Sequence, residues 1–189
     1  MLKVFAVMAL LLAASAAARA EPLHIVAFGD SGTAGYLVPR DRAYPAQLQR
    51  ALRAKGYDVA VTNAGISGDT TAGGLRRFDA AIAPDTKIAI VEFGTNDLRL
   101  RVPPAKMRAN LNEIVRTLRA RRIAVLVVGL GSLDLSDVAR TNNVPYAQWT
   151  LPPGKYRARD GAHFNAEGYA IVVARMLPQV EALAKGVTK

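Results

Sequence analysis

Between Ile25 and Leu130 the chain alternates four times between an apolar run of strand length and a stretch of helical periodicity. That alternation calls for a parallel sheet covered by helices on both faces, with right-handed crossovers. The strand segments are 25–28 (IVAF), 57–62, 87–93 with Ile88, Ala89, Ile90 and Val91 at its centre, and 123–130. Between them, Tyr44-Pro45 opens a helical pattern with Leu48 and Leu52 four apart and Gly56 placed to stop it. Leu75, Phe78 and Ile82 mark a second helix closed by Pro84, and Pro103-Pro104 opens a third with the stripe Met107, Leu111, Ile114 and Leu118. After Gly131 the pattern weakens. Residues 144–149 (VPYAQW) are a candidate fifth strand, which leaves 131–143 as a crossover close to the minimum of roughly a dozen residues, with a short helix at 135–140. Residues 150–159 read as loop. Asn165 caps a last helix carrying Tyr169, Val172, Val173, Met176, Val180 and Leu183, which Pro178 is expected to kink or split.

Residues 1–20 stand apart from this pattern. Lys3 precedes an uncharged run over 4–18 that is short for a membrane span, and Ala18-Arg19-Ala20 has the small-x-small form of a cleavage site. The segment reads as a signal peptide cut after Ala20, with an uncleaved anchor as the alternative. The expected organisation is one domain over 21–189, exported to the periplasm or secreted. The chain has no cysteine, so disulfides, thiol catalysis and thiolate metal sites are excluded, and its hydrophobic content of 51% must supply the core alone. Losing Lys3 and Arg19 lowers the net charge from +10 to +8. The arginines are scattered along helical faces with no interleaved aromatics, which argues against nucleic acid; an anionic membrane surface remains open to a chain so basic.

The polar residues collect where the predicted strands end. Strand 25–28 breaks into Gly29, Asp30, Ser31 and Gly32, a turn without a bulky side chain that presents one hydroxyl at the carboxyl end of a central strand, where open α/β sheets place ligands. A helix N-cap is the plainer reading of Ser31. Acyl transfer requires a nucleophile, a base, a group that orients the base, and donors aimed at the developing oxyanion. Of the two histidines, His24 lies at the far end of the first strand and reads as an exposed strand-start residue, which leaves His163 as base. Asp160, three residues earlier, can accept the imidazole Nδ1 proton and leave Nε2 for Ser31. Asn96 offers two uncharged N–H donors just past a buried strand, and the backbone N–H groups of Gly68 and Ser31 are unencumbered. Each residue has a plainer reading when taken singly: a turn Asn, a positive-φ Gly, an ordinary polar loop. On one sheet edge, they together favour a serine hydrolase.

The order of these segments resembles the Ser-Gly-Asn-His hydrolases, the lipolytic family also named for its Gly-Asp-Ser-Leu motif, and within it the bacterial periplasmic arylesterase, thioesterase and lysophospholipase group. The resemblance rests on FGDSGTAGY at 28–36, NAGISGDTTAGGL at 63–75, GTND at 94–97 and DGAHFNAEGY at 160–169. It implies Ser31 as nucleophile, Asp160 and His163 completing a triad, and Ser31, Gly68 and Asn96 as oxyanion donors. It further implies a flavodoxin-like three-layer sandwich of about five parallel strands, with no metal and no cofactor. Two departures stand out: Gly32 occupies the position where the family usually has Leu, and the segment 131–143 is short where relatives carry a longer loop and helix that help wall the acyl site.

The expected function is therefore hydrolysis of carboxylic esters of lipids or of aryl and alkyl alcohols, with thioesters as a further substrate class, through an acyl-enzyme on Ser31. A carbohydrate O-deacetylase with the same apparatus is the second reading, and a non-catalytic basic protein bound to an anionic surface is the third. Trp149 and Tyr146 are candidates for lining the acyl pocket, with a core role as the alternative. Arg99, Arg101, Arg157 and Arg159 are candidates for favouring anionic head groups, with solvated loop charge as the alternative. The sequence carries no signal for oligomeric state.

Overall fold

A strand that is apolar on both faces needs a cover on both, and β1 (Leu23–Gly29) sends Ile25 and Ala27 into one hydrophobic core and Val26 and Phe28 into another. The computed structural model describes residues 21–150 and 153–188, so the signal peptide expected at 1–20 lies outside the described residues. After β1 come α1 (Ser31–Ala34), α2 (Tyr44–Ala54), β2 (Val59–Gly65), α3 (Thr71–Arg76), α4 (Phe78–Ala81) and β3 (Ile88–Glu92). The second half holds α5 (Thr95–Arg99), α6 (Pro104–Ala120), β4 (Ala124–Leu130), α7 (Ser136–Thr141), β5 (Tyr146–Trp149) and α8 (Ala166–Val187). All strand pairs are parallel, in the order β2-β1-β3-β4-β5.

Strands β3 and β4 divide as β1 does. Ile88, Ile90, Leu126 and Val128 face the core closed by Leu48 and Leu52 of α2 and Val172, Met176 and Val180 of α8. Ala89, Val91, Val125 and Val127 face the core closed by Met107, Leu111 and Ile114 of α6 and Val138 of α7. This is the three-layer α/β sandwich that the alternation calls for, with β5 pairing parallel to β4. Because the chain passes from β1 to β2 on one side and then to β3 on the other, the loops leaving β1 and β3 diverge, and a crevice opens between them.

Three segments differ from expectation. Strand β2 runs through Gly65, taking Asn63 and Ala64 from the expected loop into the sheet opposite Ala27 and Phe28. The second helix is two short ones, α3 and α4, broken at Arg77, whose guanidinium turns inward onto backbone carbonyls. Pro178 does not split α8, which runs unbroken from Ala166 to Val187. Pro178 and Ala174, whose carbonyl loses its amide partner, are both exposed, so solvent is available to that carbonyl while Met176, Val180 and Ala184 stay packed.

Candidate active site

The turn after β1 is compressed to the limit. A Cβ at Gly29 would lie 2.1 Å from Thr33 Oγ1 and 2.3 Å from the Glu92 carbonyl, so only glycine fits. Asp30, not Ser31, caps the one-turn α1, its Oδ1 accepting from the Gly32 N–H at 3.0 Å. The Ser31 hydroxyl is thereby left for another partner, and its Oγ lies 2.9 Å from His163 Nε2.

His163 comes from the loop before α8, whose position is fixed at several points. Phe164 is buried, the Ala158 N–H bonds the His163 carbonyl at 2.8 Å, and Asn165 caps α8 through the Gly168 N–H. Tyr169 of α8 donates to the Gly32 carbonyl at 3.0 Å, joining this helix directly to the nucleophile turn. The imidazole Nδ1 lies 2.5 Å from Asp160 Oδ2, while Asp160 Oδ1 accepts the N–H groups of Ala162 and His163 at 3.0 and 3.1 Å. The His163 N–H, then its ring, then the Ala162 N–H hold the Asp160 carboxyl down at about 2. An ionised carboxylate only accepts, so Nδ1 carries the imidazole proton and Nε2 accepts from Ser31.

Asn96 is buried at the start of α5. Its Nδ2 donates to the Asp69 carbonyl at 2.9 Å and to Asp30 Oδ2 at 3.2 Å, so the amide already has acceptors in the resting site. Gly68 has φ +83 and open space where a Cβ would project. None of the described hydrogen bonds engages its N–H or that of Ser31. A cavity of about 430 Å³ adjoins Ser31, lined by Gly32, Tyr36, Asn96, Arg99, Leu130 and Phe164 among others. A contiguous cleft brings Gly68 and Ser67 to the same serine, and the Tyr36 ring lies 4.9 Å from that of His163.

The structure thus brings together Ser31, Gly68, Asn96, Asp160 and His163, and places two other candidates elsewhere. Trp149 is 2% exposed in the core, packed edge-on against Tyr44 at 4.8 Å, because its strand position points beneath α2 and α8. The Tyr146 hydroxyl pairs with the Gln148 side chain and the Leu135 N–H, and the ring packs on the opposite core. Neither lines the cavity at Ser31; core packing, the alternative reading of both, matches their positions. No residue of 131–143 lines it either. His24 sits at the opposite end of the sheet, ion-paired with Asp85.

Residues that the sequence reasoning passed over hold the site in shape. Arg77 pairs with Asp69 at 2.6 Å, donates to the carbonyls of Ala64 and Gly29, and lies over the Phe28 ring at 4.6 Å, so one guanidinium ties the Gly68 loop to the ends of β1 and β2. Asp97 accepts the Thr71 N–H and hydroxyl at 2.9 and 2.6 Å, and Asn110 donates to the same hydroxyl, joining α3, α5 and α6. Nothing in spacing marks either: Arg76 and Arg77 both stand between Leu75 and Phe78, and only the fold tells them apart.

Under the nucleophile turn, Asp30 and Glu92 are each 1% exposed, with Thr33 donating to Glu92 at 2.9 Å. Desolvation raises Asp30 to about 6 despite the Gly32 N–H, and desolvation followed by the charge of Asp30 raises Glu92 well above its usual range. The folded protein therefore holds protons that the unfolded chain releases. Their contribution to stability is complete below the ordinary values of 3.8 and 4.5 and is lost as pH rises through about 6 and beyond. Glu92→Gln keeps an acceptor for Thr33 without a titrating proton. Melting curves between pH 5 and pH 8 are expected to fall less steeply in the variant, leaving it about 3 °C above wild type at the alkaline end. Parallel curves would remove Glu92 as the source of the slope.

A five-stranded parallel sandwich with serine, imidazole and carboxylate in series at its switch point defines a class of α/β proteins. Residues 27–171 match the GDSL-like Lipase/Acylhydrolase family, and the chain belongs to it. It is 38% identical to Esterase TesA of Pseudomonas aeruginosa over 114 residues, 60% of this chain and 56% of that protein. It is 37% identical to an arylesterase of Vibrio mimicus over 106 residues, 56% of this chain and 52% of that one. The chain spans about half the length of the curated relatives it matches. Among solved structures, AlinE4, an SGNH-hydrolase family esterase, matches at 33% identity and TM-score 0.69, over 88% of this chain and 97% of that chain. TesA matches at 27% and 0.76, over 85% and 99%.

Proposed function

We propose that this protein is a serine-dependent hydrolase of carboxylic esters, exported from the cytoplasm by its signal-like first 20 residues. The observation that carries the reading is the series Ser31 Oγ, His163 Nε2, His163 Nδ1, Asp160 Oδ2, with steps of 2.9 and 2.5 Å between residues, at the mouth of an apolar-walled cavity. His163 takes the Ser31 proton as Oγ attacks the ester carbonyl, and Asp160 stabilises the resulting imidazolium. The N–H groups of Ser31 and Gly68, with Asn96 Nδ2, receive the oxyanion. The imidazolium returns its proton to the leaving alcohol, and His163 then deprotonates the water that releases the acid. A cavity of about 430 Å³ suits short acyl chains, and Arg99 at its edge favours esters with an anionic group near the scissile bond. Thioesters with small leaving thiols fit the same apparatus.

Two measurements test the reading. A fluorophosphonate probe is expected to label the protein on Ser31, and activity on a ladder of p-nitrophenyl esters from acetate to palmitate is expected to peak on the short rungs. A folded protein that neither labels nor turns over any rung would return the chain to the reading of a basic surface-binding protein.

A further inference from the structure

Most large apolar side chains that remain exposed in a folded domain are scattered, and a cluster of them marks an interaction site. Among the described residues five are exposed: Tyr36, Ile66, Leu98 and Leu100 at 46, 51, 45 and 66%, and Val187 at 36% near the end of α8. The first four line the cleft at Ser31 or adjoin, in sequence, residues that line it. Tyr36 lines it, Ile66 precedes the lining residue Ser67, and Leu98 and Leu100 flank the lining residue Arg99. They arise from the loops that leave β1, β2 and β3, adjacent strands whose carboxyl ends share one sheet edge.

The backbone holds this exposure in place. The N–H groups of Leu100, Arg101 and Val102 bond the carbonyls of Asn96, Leu98 and Asp97 at 2.9 to 3.1 Å, and Arg101 is held at φ +55, a conformation that costs a side-chain-bearing residue energy. The result is Leu98-Arg99-Leu100-Arg101, four consecutive exposed residues alternating apolar and cationic. Neither arginine has an ion-pair partner among the described residues. The acid nearest them in sequence, Asp97, is engaged by Thr71.

We propose that this rim is an interfacial docking surface for anionic phospholipid, with Ile66, Leu98, Leu100 and Tyr36 entering the headgroup region and Arg99 and Arg101 meeting lipid phosphates, so that the cleft opens onto the bilayer. Apolar groups on a cationic rim are the composition that such surfaces favour, and no helix among the described residues is long and apolar enough to cross a membrane. The proposal rests on the hydrolase reading for its purpose but not for its test.

The test uses Ser31→Ala protein without the leader, residues 21–189, sedimented with phosphatidylcholine vesicles, with and without about 30 mol % phosphatidylglycerol. Binding is expected on the anionic vesicles only, and to weaken with added salt. Arg101→Gly suits the local φ while removing a charge, and is expected to weaken that binding roughly fivefold. Ile66→Ser with Leu100→Ser is expected to weaken it about tenfold or more. In the Ser31 background the Ile66 and Leu100 substitutions are expected to leave hydrolysis of a soluble short-chain ester unchanged. Equal binding to neutral vesicles, or full affinity in the Ile66/Leu100 variant, would overturn the proposal. Self-association of the protein that this variant abolishes would overturn it too, in favour of a second copy as occupant. Vesicle binding as expected with no ester hydrolysis by the Ser31 protein would leave docking standing and remove the hydrolase reading.

Discussion

Ser31→Ala and His163→Ala are each expected to lower kcat on an activated ester by about 10⁴-fold or more, and the double variant is expected to be no slower than either alone. The proposal makes these two side chains a single device: the hydroxyl 2.9 Å from Nε2 is a poor nucleophile until the imidazole takes its proton, and the imidazole has no other reacting partner. Removing either therefore removes the whole device, and the residual rate in all three variants comes from the cavity and the oxyanion donors. Additive losses, each modest and multiplying in the double variant, would mean that the pair acts independently. A Ser31→Ala protein with more than a tenth of wild-type turnover would end the covalent mechanism. Ser31→Ala is small on the stability scale, since the Ser31 side chain anchors neither α1, which Asp30 caps, nor the sheet.

Why so much could be read in advance follows from how the site is built. In a parallel sheet with its helices outside, every strand run announces itself by its apolar centre, and the polar residue after it must lie on the same edge as the others. Ser31, Asn96 and the Asp160–His163 pair were legible because each follows such a punctuation point in sequence. Residues that act through long-range contacts were not. Arg77 reads as a helix-surface arginine until the fold brings the carbonyls of Gly29 and Ala64 and the ring of Phe28 around it. Nothing in the 87–93 run marks Glu92 as a buried acid until β1 and the α1 turn close over it. Pro178 shows the converse: its penalty depends on which carbonyl it orphans, and that is decided by the face of α8 it occupies. Trp149 and Tyr146 fail as pocket candidates for a related reason. Strand alternation decides which way they point, and in a strand of four residues at the sheet edge the sequence offers too few alternations to tell the face from the rim.

Asn96→Ala is expected to reduce kcat about 100-fold with KM changed little, because an oxyanion donor acts on the charge that develops in the transition state and not on the bound ester. The resting hydrogen bonds of Asn96 sharpen this expectation. Nδ2 is held by the Asp69 carbonyl at 2.9 Å and more loosely by Asp30 Oδ2 at 3.2 Å, so one N–H fixes the amide while the other is the one an arriving oxyanion can draw away. Competition from Asp30 is weakest where that carboxyl is protonated, and burial has raised it to about 6. The Asn96 contribution should accordingly depend on pH: the ratio of wild-type to Asn96→Ala kcat is expected to shrink as Asp30 ionises above that value, whereas a purely structural role for Asn96 would give a constant ratio with a fall in Tm. A loss below threefold at unchanged Tm would assign the oxyanion to the backbone N–H groups of Ser31 and Gly68 alone.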